Sequence, residues 1–217
     1  MNIQLIIVQA FVLLFAITVH EAAHAWTANK MGDPTAAALG RASLNPIVHI
    51  DPIGTVLFPL MLIVLTLGRG PLFGWAKPVP YNPYNLRHPK KGGLWISFAG
   101  PIANILTAAC AILLFRLLVL AGAGAPATSS VINILSALGT ILFYTALINL
   151  VLAVFNLIPV PPLDGSGILE GLLTGQAAER YQRLRPYGFL ILLVIMFSRV
   201  LNVIFAPIYN LVVRLCS

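Results

Sequence analysis

Apolar residues crowd into four long stretches of the chain, roughly 3–29, 94–120, 131–157 and 186–206. Each offers about the twenty residues a helix needs to cross a bilayer, so four spanning helices are predicted. A fifth run, IGTVLFPLMLIVLTLG (53–68), is shorter and carries Pro59. Polar, Pro-rich and Gly-rich segments separate the runs. Arg199, Asn202 and Pro207 interrupt the last one, which predicts either a kinked span or a span followed by an interfacial tail.

The basic residues set the orientation. Residues 68–93 hold Arg69, Lys77, Arg87, Lys90 and Lys91 with no acid, whereas the connection AGAGAPATSS (121–130) holds no charge. Lys and Arg favour the cytoplasmic side of a membrane, so 68–93 is expected inside and 121–130 outside. The basic ERYQRLRP (179–186) then also falls inside. A full crossing by 53–68 would put 68–93 and the stretch from Lys30 to Asp51 on opposite sides. Residues 69–93 are too polar to cross back. The run is therefore expected to be a re-entrant or partly inserted element, tolerable where protein or water covers its backbone. A plain short helix giving five crossings is the alternative. On the re-entrant reading all thirteen Lys and Arg residues except Arg116, Arg199 and Arg214 are cytoplasmic.

Composition agrees. The 217 residues are 59% hydrophobic and 9% charged, against about 25% charged in soluble domains, and mean hydropathy is +0.93. This describes an all-α polytopic membrane protein forming a single domain over 1–217, with the lipid bilayer as its solvent. The opening residues show neither a basic leader nor a small-residue cleavage site, so no cleavable signal is expected. The net charge of +7 sits in loops beside apolar runs, where it sets topology and meets anionic headgroups rather than nucleic acid. Cys110 and Cys216 have no metal or redox spacing and read as packing or tail residues.

Ionisable groups at membrane depth are costly and usually carry a task. The first apolar helix contains His20-Glu21-Ala22-Ala23-His24, the H-E-x-x-H pattern. Residues four apart share a helix face, so both imidazoles can reach one ion. The glutamate is turned about 100° away, where it can meet an attacking water instead. Zinc suits such ligands. His20 lies ten residues before Lys30, about 15 Å along a helix, so the pair is expected beneath the interface.

A catalytic zinc site usually takes three protein ligands. Asp164 is the favoured third. It ends NLIPVPPLDGSG (156–167), where a spanning helix reaches the cytoplasmic face and three prolines break it. N-capping of the next helix is an alternative role, compatible with ligation. Asp33 and Asp51 lie in loops after the histidine helix. His49 and His88 lie in loops beside Pro and charge, where solvation at the interface is expected.

HEAAH on a membrane helix, FAGPIAN (98–104) opening another and NLIPVPPLDG (156–165) closing a third resemble the site-2 protease family of intramembrane zinc metalloproteases. RASLNPIVHIDPIGT (41–55) and GWAKPVPYNPYNLRHPKKGG (74–93) resemble its compact bacterial or archaeal branch, which lacks a PDZ domain. The resemblance implies a three-helix catalytic core plus a flanking helix, one Zn2+ held by His20, His24 and Asp164, and Glu21 as general base. It further implies a multi-pass protein of the cell membrane, with the active site near the cytoplasmic side. Its substrates would be transmembrane proteins cleaved in regulated intramembrane proteolysis.

Asn104 and Asn156 are amides among apolar neighbours. Either could hold an extended substrate or support the oxyanion; an interhelical hydrogen bond is the alternative. Asn149 reads as structural. RASLNPIVHI or AKPVPY could form short strands near the cytoplasmic face that clamp an unwound substrate. A zinc transporter would need ligands on both sides of the membrane, and the outer connection has none. A catalytically inactive binder of transmembrane partners would not need the complete ligand set.

Overall fold

The computed structural model describes residues 3–65, 74–123 and 128–217. Its helices are α1 (Ile3–Lys30), α2 (Thr35–Ala38), α3 (Phe58–Leu65), α4 (Pro89–Gly122), α5 (Ser129–Asn156), α6 (Asp164–Leu172), α7 (Gly175–Gln182), α8 (Gly188–Phe197) and α9 (Val200–Cys216). Three of them, α1, α4 and α5, are long and apolar enough to cross a membrane. At 1.5 Å per residue they run for about 40–50 Å, so their polar ends reach beyond the hydrocarbon.

Helix α4 is the centre of the bundle: α1, α5 and α6 all pack on it, and α5 also meets α1 and α9. The contact surfaces are built from small residues. Ala111 of α4 and Ala146 of α5 bury with Val212 of α9, and Ala28 of α1 buries with Ile96 of α4 and Leu86. Small side chains let helices approach closely where lipid tails offer no hydrophobic drive to associate. The outward faces stay apolar and exposed, as at Phe11, Leu106, Leu120 and Ile134.

The expected last span is a bent pair. The helical stretch ending at Phe197 and α9 meet at 64°. The break falls at Ser198, whose backbone is extended, whose hydroxyl donates to the Ile195 carbonyl at 2.7 Å and accepts from Val200 N–H at 3.2 Å. Asn202 and Pro207, by contrast, lie inside α9. Arg116 of α4 donates to the carbonyls of Arg214 (3.4 Å) and Ser217 (2.8 Å), satisfying acceptors left over at the end of α9.

The re-entrant expectation is supported at the neck of the element. Asp51 caps a π-helical turn, Pro52–Leu57, accepting from Ile53 and Gly54 N–H. Trp75 N–H then donates to Gly54 O at 3.1 Å, and Thr55 Oγ1 to Trp75 O at 2.8 Å. Residues 54–55 and 75, on either side of the element, therefore sit side by side. Gly54 is obligatory here, because a Cβ would lie 2.3 Å from the Trp75 indole nitrogen. Residues 66–68 of the expected element, and 124–127 of the outer connection, lie outside the described residues.

The expected short strands are absent among the described residues. Asn45 caps a 3-10 turn at Pro46–His49 instead. Residues 74–82 carry no regular secondary structure and form no ladder with the 43–57 loop, meeting it through Trp75 and through Lys77, whose N–H reaches His49 O at 3.0 Å. Pro78 and Pro80 remove the donors a ladder would need.

A clasp not foreseen from the sequence fastens this segment. Asp33, fully buried after α1, accepts from Thr35 N–H and Oγ1, Asn82 N–H and Asn85 Nδ2. Burial pushes its pKa up, but hydrogen bonds from Thr35, Asn85 and Asn82 outweigh that and hold the carboxyl below the usual range.

Candidate metal centre

His20 and His24 point from α1 into the bundle and are 5% and 7% exposed. Their spacing of one helical turn brings Nε2 to Nε2 at 3.0 Å. The remaining ring nitrogens are engaged: His24 Nδ1 faces the Ile96 carbonyl and His20 Nδ1 faces Asn104 Oδ1, each at 2.6 Å. A carbonyl oxygen only accepts, so each Nδ1 carries a proton and, in the neutral ring, each Nε2 presents a lone pair.

Asp164 arrives from the opposite side. Helix α5 ends at Asn156, and the prolines at 159, 161 and 162 prevent its continuation. The turn closes tightly on Gly165, where a Cβ would lie 2.4 Å from the carbonyls of Leu157 and Ile158. Tyr181 Oη ties the turn to α7 by donating to Pro159 O at 2.9 Å. Asp164 then opens α6, which lies flat on α4 because it lacks side chains there. A Cβ on Gly167 would sit 2.2 Å from Ser97 Oγ, and one on Gly171 2.8 Å from Leu94 Cβ. The result places Asp164 Oδ2 3.0 Å from His20 Nε2, and Oδ1 3.4 Å from His24 Nε2.

Three lone-pair donors thus converge without protons to share, and Asp164 Oδ2 is buried without a hydrogen-bond partner. Among the described residues this is the one cluster able to hold a metal, its ligand atoms within 4.8 Å of one another. Zinc bonds of 2.0–2.2 Å in a tetrahedron separate ligand atoms by about 3.3–3.6 Å. The Nε2–Nε2 distance of 3.0 Å and the approaches of the two carboxylate oxygens, Oδ2 at 3.0 Å and Oδ1 at 3.4 Å, come close to that separation. Gly100 supplies the room: a Cβ there would stand 2.4 Å from His24 Nε2 and 2.6 Å from His20 Nε2.

The other candidates are placed as follows. Glu21 is half-buried beside His20 and outside the ligand cluster. Asn156 is half-buried at the end of α5, its Nδ2 donating to Leu152 O at 3.0 Å. Asn104 is fully buried with both ends of its amide used inside the bundle. Its oxygen faces His20, an interhelical contact of the kind the sequence held open beside a substrate or oxyanion role. His88 is exposed as expected, but His49 is not: it is 1% exposed and donates Nε2–H to Ser43 O at 2.8 Å. Gly100 was missed as a site residue, although it stands within the quoted FAGPIAN; glycine in an apolar helix is the signal that could have found it.

A model of peptidase family M50 matches residues 8–198. The chain belongs to peptidase family M50, the site-2 protease family. It is similar to "Putative zinc metalloprotease YwhC" of Bacillus subtilis, 38% identical over 202 residues that cover 91% of this chain and 84% of the relative. It also resembles "Putative zinc metalloprotease Rip2" of Mycolicibacterium smegmatis, 30% identical over 189 residues, 87% of this chain and 66% of the relative. No solved structure matches. This member of family M50 is a zinc-dependent intramembrane metalloendopeptidase in a multi-pass, mainly helical membrane protein.

Proposed function

We propose that His20, His24 and Asp164 hold the zinc ion, that Glu21 is the general base, and that the protein cleaves transmembrane protein substrates from the cytoplasmic side of the cell membrane. The observation that carries this reading is the convergence of two Nε2 lone pairs and an unpartnered carboxylate at 3.0–3.4 Å.

When bound, zinc supplies Lewis acidity, polarising the scissile carbonyl and acidifying water. The chain's own groups do the rest. His20 and His24 are held in the ligating tautomer by Asn104 and the Ile96 carbonyl. The Glu21 carboxylate, one residue round the helix, takes the proton of the attacking water and delivers it to the leaving nitrogen. Asn156, where α5 gives way to the turn carrying Asp164, holds the opened substrate backbone. That substrate arrives as a helix with its carbonyls hydrogen-bonded internally, so it unwinds before it is cut.

Support for the cytoplasmic side comes from what surrounds this end of the bundle. Lys30, whose ammonium lies 3.7 Å over the Trp26 ring, is six residues beyond His24, or about 9 Å along α1. Arg41, Lys77, Arg87, Lys90 and Lys91 share that end with Trp75 and Trp95. Interfacial aromatics belong at either membrane boundary, and the excess of basic residues favours the cytoplasmic one. We read residues 1–217 as one membrane domain organised around this centre.

The test is Glu21→Gln in purified protein, with metal analysis and a library of transmembrane peptides in parallel. Zinc content and fold persist while cleavage disappears. Retained cleavage would remove Glu21 from the mechanism, and loss of zinc would remove the assigned division between base and ligands.

A further inference from the structure

Asn104 can serve His20 only in one of its two amide orientations. With Oδ1 towards the ring it accepts the Nδ1 proton and leaves the Nε2 lone pair for the metal. Flipped, it would present an N–H to Nδ1 and favour the tautomer whose Nε2 is protonated, which cannot ligate. What selects the orientation is therefore part of the site.

The hydrogen bonds trace the selection outward. Asn104 Nδ2 donates to Asn149 Oδ1 at 2.8 Å and, more weakly, to Ala16 O at 3.3 Å. Asn149 in turn donates Nδ2 to Thr145 O at 2.8 Å. The two outer anchors are backbone carbonyls, which accept and never donate. Asn149 must thus turn its oxygen towards Asn104, and Asn104 its oxygen towards His20. Both asparagines are 0% exposed, so water cannot substitute for a lost partner. His24 needs no such relay, since its Nδ1 bonds directly to the Ile96 carbonyl.

We infer that Asn149 is a positioning residue for the metal site: from α5 it fixes the Asn104 amide on α4, which fixes the His20 tautomer on α1. The relay joins all three core helices, so their mutual packing sets metal affinity. This inference rests on the assignment of His20, His24 and Asp164 as ligands.

The experiment is zinc affinity of the purified full chain, measured by competition with a chelator, in a double-mutant cycle. Asn149→Leu leaves only the 3.3 Å bond to the Ala16 carbonyl to orient the Asn104 amide and lowers affinity about tenfold or more, in the range seen when partners of metal-bound histidines are removed. Asn104→Asp presents oxygen to His20 in either orientation, and its own zinc affinity serves as the reference for the second arm of the cycle. In that background Asn149→Leu causes no further loss, because nothing is left to orient. Thermal unfolding of the metal-free variants reports packing separately. Equal losses from Asn149→Leu in both backgrounds, or none in the native one, would overturn the relay. His24→Ala in the same assay tests the underlying assignment: undiminished zinc binding there would overturn the ligand set itself.

Discussion

Gly100 of α4 runs against His24 of α1 so closely that a Cβ on the glycine would lie 2.4 Å from the histidine's Nε2. The hydrogen that glycine carries in place of a side chain is what leaves space for an ion between α1, α4 and α6. Gly100→Ala is expected to lower zinc affinity about 100-fold, the upper end of what disturbed ligand geometry costs. Chelator competition on the purified variant measures it. Native affinity would mean that the two helices part without cost.

Gly167 keeps α6 against Ser97, and through α6 it sets the height of Asp164. Gly167→Val should lift the start of α6 away from the histidines. Zinc affinity then falls while the spanning helices survive. Metal content together with helical circular dichroism distinguishes this from unfolding.

Removing the metal should lower thermal stability. A ligand at 100 times its dissociation constant stabilises the folded state by about 2.7 kcal/mol. Chelation should therefore lower Tm measurably in the native protein and leave Tm unchanged in His20→Ala, where little zinc binds.

Asp33 makes a pH-dependent contribution. Its folded pKa is depressed by hydrogen bonds from Thr35, Asn85 and Asn82 despite burial. Its stabilisation is therefore complete above the unfolded value of about 3.9 and is lost as pH falls through the lower folded value. Asp33→Asn removes it at every pH, at a cost of about 1–3 kcal/mol for the buried donors left unpaired. Thermal melts of the two proteins should differ near neutrality, begin to converge as pH falls below about 4 and meet only below the folded pKa.

The neck at Gly54 and Trp75 predicts topology. Single cysteines placed at Ser43 and Arg87 should react with a membrane-impermeant reagent from the same side of sealed vesicles. Labelling from opposite sides would mean that the intervening segment crosses the bilayer.

The spanning helices were legible because a run of some twenty apolar residues has few other solutions. The histidine pair was legible because a four-residue spacing is resolved within one helical turn. Asp164 could be singled out because three prolines and two glycines mark where a helix stops and the backbone may turn. Asn104 could be noticed but not assigned, since an amide in an apolar helix can face a substrate or another helix equally well. His49 looked like an interfacial side chain; its burial depends on the loop folding back over it. The expected strands failed because an Asn-Pro cap at Asn45 makes a local turn, and prolines at 78 and 80 remove ladder donors.

Sequence alone, then, determined the helices, the pair of imidazoles on one face and the break that releases a carboxylate. Those properties arise from hydrophobic length, helical pitch and proline geometry, all of which act within a few residues. The tertiary structure decided that the carboxylate meets the imidazoles at 3.0 and 3.4 Å, that Gly100 leaves room beside both imidazoles, and that Asn149 reaches His20 through Asn104. Such relations join residues up to 144 positions apart, from His20 to Asp164, and exist only once α1, α4, α5 and α6 have packed.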